Sequence, residues 1–227
     1  MARQVSAVTS AGTPGELIVL VDDQGRVTGT APKLASHTTR TPLHLAFSCY
    51  VFDRAGNLLL TQRAWGKKTW PGAWTNTCCG HPAPGEDIRA AVHRRVGDEL
   101  AARLITVALI LPGFRYEAVM DNGVRENELC PVFRARIAGE LSPDPAEVAD
   151  VAWVRWDRFA AAVISGERQV SPWCRMQVRE LAALGPDPWA WPEAPAAALS
   201  GIDPLTGGTG GATAPVTAAE RQRRYER

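Results

Sequence analysis

No run of apolar residues in this chain approaches the ~20 that a helix needs to cross a bilayer, so no membrane span is expected. Net charge is lacking too: 25 Lys and Arg against 24 Asp and Glu leave a formal +1 at pH 7. That balance gives no electrostatic footing for nucleic acid as a partner. The opening residues, Met1-Ala2-Arg3-Gln4-Val5-Ser6, hold no long apolar core and do not read as a secretory signal. A cytoplasmic location is therefore the expectation. Cysteines number only five, and an odd count without an export signal argues for reduced thiols over a disulfide framework. Adjacent Cys78 and Cys79 also lack the spacing of a structural zinc ribbon. Histidine is scarcer still, with four in 227 residues.

What is present is an ordinary globular composition, 45% hydrophobic and 22% charged. The length suits one sizeable core and is short for two enzymatic domains. Residues 15–21 read as a strand ended by the turn Asp22-Asp23-Gln24-Gly25, and 43–52 as a second strand. After Asp53-Arg54-Ala55-Gly56-Asn57, residues 58–63 are expected to return as its hairpin partner. Apolar or small residues at Ile88, Ala91, Val92, Val96 and Leu100 have helical spacing over 87–100. Further strands are expected at 106–111, 114–119, 129–138 and 151–154, with helices at 155–164 and 173–184. Strands and helices in this mixture indicate a single α/β domain.

Past Pro186 the composition shifts to Ala, Pro, Gly and Thr. Residues 1–12 are expected to be flexible, 13–190 to form the domain, and 191–227 to be a disordered tail whose basic end is inert.

Chemistry gathers in Thr75-Asn76-Thr77-Cys78-Cys79-Gly80-His81-Pro82, where a thiol stands two residues from an imidazole. His37 and His44 lie upstream and Glu126-Asn127-Glu128 downstream. Alternating Glu126 and Glu128 point to one face of an extended strand, as two ligands of one ion must. Three imidazoles and two carboxylates can hold a first-row metal and leave groups for proton transfer.

Gly80, Glu86, Arg94, Asp98 and Glu99 follow the spacing of the Nudix box, with Arg95 standing where that box has glutamate and Ala101 where it has glycine. In order around it come 37–48 (His-Thr-Thr-Arg-Thr-Pro-Leu-His-Leu-Ala-Phe-Ser), 67–76 (Lys-Lys-Thr-Trp-Pro-Gly-Ala-Trp-Thr-Asn), Cys79-Gly80-His81-Pro82, Phe114-Arg115-Tyr116, 126–133 (Glu-Asn-Glu-Leu-Cys-Pro-Val-Phe) and Ser171-Pro172-Trp173. This series resembles the type I isopentenyl-diphosphate isomerases, a Nudix-fold family, over residues 15–184.

The resemblance implies a mixed sheet sandwiched between helices. It also implies interconversion of isopentenyl and dimethylallyl diphosphate through a tertiary carbocation, a step that supplies isoprenoid precursors. Cys79 and Glu128 are then the acid/base pair, with Tyr116 hydrogen-bonding near Glu128 and Trp173 offering its indole face to the cation. His37, His44, His81, Glu126 and Glu128 are the ligands of a Mn²⁺ or Zn²⁺ ion. Glu99 is the carboxylate for a Mg²⁺ that arrives with the diphosphate. Lys33, Arg63, Lys67 and Arg95 neutralise that diphosphate. The only partner implied is a small isoprenyl diphosphate, and a monomer is favoured.

Cys49, Cys78, Cys130, Cys174 and His93 match no functional position, and Lys68 reads as a solvated cation. The competing readings are a Nudix pyrophosphohydrolase, which the missing box glutamate disfavours, and a ligand-binding Nudix module without activity.

Overall fold

Strand β1 (Leu17–Val21) turns through Gly25, whose φ of 78° suits a residue without Cβ, into its antiparallel partner β2 (Val27–Pro32). This computed structural model describes residues 15–200 and residue 202. A one-turn helix α1 (Lys33–Ser36) leads to β3 (His44–Leu45), β4 (Phe47–Val51), β5 (Asn57–Arg63), β6 (Trp74–Thr75) and β7 (Cys78–Gly80). Helix α2 (Ile88–Leu100) follows, then β8 (Arg103–Leu111), β9 (Arg115–Val119), β10 (Arg125–Leu129), β11 (Val132–Ala138) and β12 (Val148–Arg155). Helices α3 (Trp156–Ser165) and α4 (Pro172–Ala183) and two 3-10 turns, Pro188–Ala190 and Ala196–Leu199, complete the order.

The strands form three sheets: β2-β1-β3-β10-β9, β7-β4-β11-β8 and β12-β5-β6. Two chain segments pass from the first sheet to the second side by side. Ala46 N–H donates to the Leu129 carbonyl at 2.9 Å and Ser48 N–H to the Pro131 carbonyl at 3.0 Å, so both cross between the same layers. The strand expected over 43–52 is split at that crossing, and the one expected over 129–138 starts at Val132 as β11, with Leu129 ending the separate strand β10. Pro131 has no N–H to continue a ladder, which marks the second break.

The expected hairpin between residues 43–52 and 58–63 is replaced by one isolated bridge, Phe52 to Leu58. β5 pairs instead along its length with β12, 80 to 100 residues later by pairings such as Arg155 with Asn57 and Val148 with Arg63. Strands β2, β6 and β7 were not expected at all. β2 is a sheet edge carrying Gly29 and Pro32, and the other two have only two and three residues.

Period-two alternation decides what each strand buries. On β4, Phe47, Cys49 and Val51 pack under α2, while Tyr50 on the other face joins the cluster under α3 and α4. β5 does the same with Leu59 against Leu58 and Leu60. Sheets covered on both faces by helices are the sandwich the sequence implied, and continuous apolar runs such as Leu58-Leu59-Leu60 follow from it.

Helix α2 starts where Asp87 Oδ1 accepts the Ala90 N–H at 2.9 Å. Its residues Ile88, Val92, Val96 and Leu100 are fully buried, worth roughly 1.5–3 kcal/mol each. His93 is exposed on the opposite side, as its lack of a functional position implied. The helix ends at Ala101, left-handed at φ 51° and bonded from its N–H to the Gly97 carbonyl. This is the place where the Nudix box has glycine. A Cβ in that conformation costs about 1–2 kcal/mol, partly offset because alanine restricts the unfolded chain. Ala101→Gly is therefore expected to raise the urea unfolding free energy by about 0.5–1 kcal/mol; a decrease would show that the cap is unstrained.

Residues 191–200 and 202, expected to belong to a disordered tail, are packed on the domain. Trp191, Leu199 and Ile202 are 3%, 5% and 8% exposed, and the last two join the cluster under α2. Ile202 is packed so closely on Gly25 that a Cβ there would collide with its Cγ2. The expectations for residues 1–12 and 203–227 lie outside the described residues. Among the described residues no helix is long and apolar enough to cross a membrane.

Candidate active site and metal centre

Register brings the acidic strand to its partners. Glu128 on β10 stands beside His44 on the parallel strand β3 and opposite Tyr116 on the antiparallel strand β9. The Tyr116 hydroxyl donates to Glu128 Oε2 at 2.8 Å. Both Glu126 and Glu128 occupy the buried face of β10, the face that alternation predicted. His81 follows β7 and His37 follows α1, and all three imidazoles converge on these carboxylates.

The ring tautomers follow from acceptor chemistry. His37 Nδ1 is 2.9 Å from the Lys33 carbonyl and His44 Nδ1 is 2.9 Å from the Pro42 carbonyl. A carbonyl only accepts, so in each neutral ring Nδ1 carries the proton and Nε2 a lone pair. Those Nε2 atoms face another ring nitrogen or a carboxylate oxygen. His44 Nε2 lies 3.2 Å from His81 Nε2, Glu128 Oε1 lies 3.2 Å from His81 Nε2, and Glu126 Oε2 lies 3.1 Å from His37 Nε2. Burial is the largest influence on His81 and, with Lys33 and His44 nearby, holds its pKa down at about 3. A neutral His81 is thus a metal ligand in waiting.

Ligand atoms of His37, His44, His81 and Glu128 all lie within 4.8 Å of one another. Glu126 stands outside that tightest group, and its buried Oε2 lacks a conventional hydrogen bond. Ring nitrogens and carboxylate oxygens gathered this closely fit one divalent cation at their centre.

Beside the cluster lies a cavity of about 390 Å³. Cys79, Glu128, Tyr116 and Trp173 line it, as do Lys33, Arg63, Lys67, Arg95 and Glu99. His37, His81 and Glu126 also reach its wall, whereas His44 is fully buried behind them. The cavity therefore gathers almost every residue singled out from the sequence. Lys68, read as a solvated cation, is exposed yet borders the same space.

The cations are already paired. Lys33 meets Glu16 at 2.9 Å, Lys67 meets Glu147, and Arg95 meets both Glu99 and Glu147. Sequence reasoning missed Glu16 and Glu147, because no spacing rule links residues so far apart. Burial depresses Lys67 most, and the nearby Arg63, Arg95 and Lys33 add to this despite Glu99, giving a pKa of about 8. Arg63 donates through Nε and Nη2 to the Thr69 carbonyl at 3.0 and 2.8 Å, and its guanidinium carbon sits 5.3 Å from the Trp173 ring centroid. It thus braces the 64–72 loop and the indole as well as facing the cavity.

Cys79 pairs with Ser48 across β7 and β4, with Sγ 3.3 Å from Ser48 Oγ and 3.2 Å from Asn76 Oδ1. Burial pushes its thiol up to about 11, its contacts with Ser48 and Asn76 notwithstanding. Burial alone would also raise Glu128, but the His44 and His81 imidazoles beside it outweigh that and hold it well below the usual carboxylate range. Burial, then the Glu128 charge, keeps the Tyr116 hydroxyl protonated. Trp173, 3% exposed at the start of α4, packs at 5.3 Å edge-on to Trp70 and at 6.0 Å to Tyr116.

The NUDIX domain family matches residues 42–174. A Saccharopolyspora erythraea protein named isopentenyl-diphosphate Delta-isomerase is 54% identical over 184 residues, covering 81% of this chain and 95% of that relative. A Mycolicibacterium vanbaalenii protein of the same name is 55% identical over 170 residues, 75% of this chain and 93% of its own. The chain belongs to the isopentenyl-diphosphate Delta-isomerase family.

Among solved structures, a Deinococcus radiodurans protein aligns with a TM-score of 0.58 at 17% identity, covering 73% of this chain and 98% of that one. A MutT protein from Methanosarcina mazei aligns with a TM-score of 0.50 at 17% identity, covering 63% and 94%. At such identity these share the fold. Family membership thus agrees with the Arg95 substitution in the Nudix box: a guanidinium stands where a hydrolase of the superfamily has a further carboxylate.

Proposed function

We propose that this cavity moves a carbon–carbon double bond within a five-carbon diphosphate, interconverting isopentenyl and dimethylallyl diphosphate, with Cys79 and Glu128 as its proton-transfer groups. The observation that carries this reading is the meeting of a half-buried thiol and a buried carboxylate, delivered by different sheets, in one cavity with an indole. An alkene must accept a proton at its terminal carbon and lose one from C2, so two acid/base groups are required. At neutral pH Cys79 has a proton to give and Glu128 a lone pair to take one. Trp173 offers a π face to the tertiary cation, an attraction worth roughly 2 kcal/mol when desolvated. The Arg63 guanidinium lies over that ring, held there by its bonds to Thr69.

Mn²⁺ or Zn²⁺ is the ion proposed for His37, His44, His81, Glu126 and Glu128, and Mg²⁺ is proposed to accompany the diphosphate at Glu99. The histidine-bound ion would supply positive charge that keeps Glu128 ionised in a dry site. Lys33, Lys67 and Arg95 exchange their carboxylate partners for diphosphate oxygens, which keeps each cation in place before substrate arrives. Turnover in D₂O tests the chemistry: each dimethylallyl diphosphate formed gains one deuterium in a methyl group. An intramolecular hydrogen shift would leave that methyl undeuterated and exclude the proposed pair.

The lowered Lys67 pKa gives a pH dependence with a definite sign. The protonated amine binds diphosphate, and that form is lost as pH rises through about 8. KM is expected to climb above pH 8 with kcat less affected. Lys67→Arg should move the climb to higher pH, because a guanidinium stays charged. An unchanged limb in that variant would assign it to another group.

A further inference from the structure

Asn76 has no exposed surface, yet it is a polar amide set between the thiol and the indole. Its Nδ2 spends both protons on main-chain carbonyls, Cys49 at 3.1 Å and Cys78 at 3.0 Å. The amide cannot flip without leaving those carbonyls facing a second oxygen, so Oδ1 is fixed on the cavity side. That oxygen accepts the Cys79 S–H at 3.2 Å and the Trp173 indole N–H at 3.1 Å. Thr75 Oγ1 donates to it as well at 2.9 Å, and Thr75 in turn lies 2.8 Å from Ser171 Oγ. Thiol and indole thus share one acceptor.

We propose that Asn76 is a positioning residue which, through the single oxygen Oδ1, sets the Cys79 thiol and the Trp173 indole relative to one another. The inference rests on the reading of Cys79 and Trp173 as reaction groups. Sheet and helix bring these two from separate parts of the chain, β7 and the first turn of α4. Neither element alone fixes the distance between a sulfur that handles a proton and a ring that faces the resulting cation. One shared acceptor does. Ser48, by contrast, meets the thiol at 3.3 Å and not the indole, its other partners being Cys130 and Gln177. The two residues therefore divide the effects between them.

Asn76→Leu keeps similar volume and removes the acceptor. It is expected to lower kcat by ~10²-fold, the scale of an ångström of misplacement. KM for isopentenyl diphosphate stays near its original value, because no diphosphate-facing cation contacts Asn76. A permanently cationic ammonium analogue loses more affinity than a neutral isosteric diphosphate. Ser48→Ala lowers kcat without changing the ratio of those two affinities. Asn76→Gln, which keeps both the amide oxygen and the NH₂ donors, recovers part of the turnover that Asn76→Leu and Asn76→Ser lose, so the comparison survives if the leucine variant does not fold.

Folded Asn76 variants with normal kcat, or with equal losses for both ligands and in KM, would overturn the inference. Cys79→Ala separates this from the reading beneath it. If that variant stays active, the thiol has no role; if it is inactive while Asn76 variants are normal, only the positioning role fails.

Discussion

Cys79→Ala is expected to lower kcat by ~10²–10⁴-fold, the usual loss on removing a positioned acid or base, while Cys78→Ala keeps near-normal turnover. Neighbours on a strand point to opposite faces, and here the faces differ in kind. Cys78 packs with Val92, Val96 and Leu100 under α2, whereas Cys79 packs with Trp70, Trp74 and Trp173 on the far side. Burial, followed by the Glu99 charge, drives the Cys78 thiol well above its ordinary value, so it is an apolar filler. Its loss should cost stability of order 1 kcal/mol and little else. Steady-state kinetics with circular dichroism on both variants checks this. Equal losses would mean that the proton passes through the wrong neighbour.

Glu128→Gln is expected to cost a comparable ~10²–10⁴-fold, and to do so along two routes at once. The amide keeps the volume and can still accept from Tyr116, but it cannot take a proton and is a poor partner for a cation. Elemental analysis of the purified variant should show reduced occupancy of the histidine site. Glu126→Gln divides the routes. Glu126 contacts His37 and not Tyr116, so that variant should lose metal and recover activity when Mn²⁺ or Zn²⁺ is supplied in excess. Glu128→Gln should not recover. Recovery of both would reduce Glu128 to a ligand and take the proton elsewhere.

Much of this was legible because it is local. The spacing of Ile88, Ala91, Val92, Val96 and Leu100 fixes the buried face of α2, and the alternation of Glu126 with Glu128 fixes theirs. Cys79, His81 and Trp173 stood out through motif order, and the cavity holds all three. What depends on distant pairing was hidden. Residues 58–63 have the pattern of a strand, but nothing in them names β12 as the partner. Glu16 and Glu147 are ordinary surface-type acids until the fold sets them against Lys33, Lys67 and Arg95. The segment after Pro186 misled for another reason. Its alanines and prolines resemble a linker, and the few large side chains, Trp191, Leu199 and Ile202, carry the packing. Pro131 was a visible break inside an expected strand, and its missing N–H was the signal to divide it.

The most direct test of the central claim is to incubate the purified protein with isopentenyl diphosphate, Mg²⁺ and Mn²⁺ and to follow carbon and phosphorus products by NMR. The account predicts dimethylallyl diphosphate with both phosphates intact and no inorganic phosphate. Release of inorganic phosphate or of an isoprenyl monophosphate, with the double bond unmoved, would contradict it.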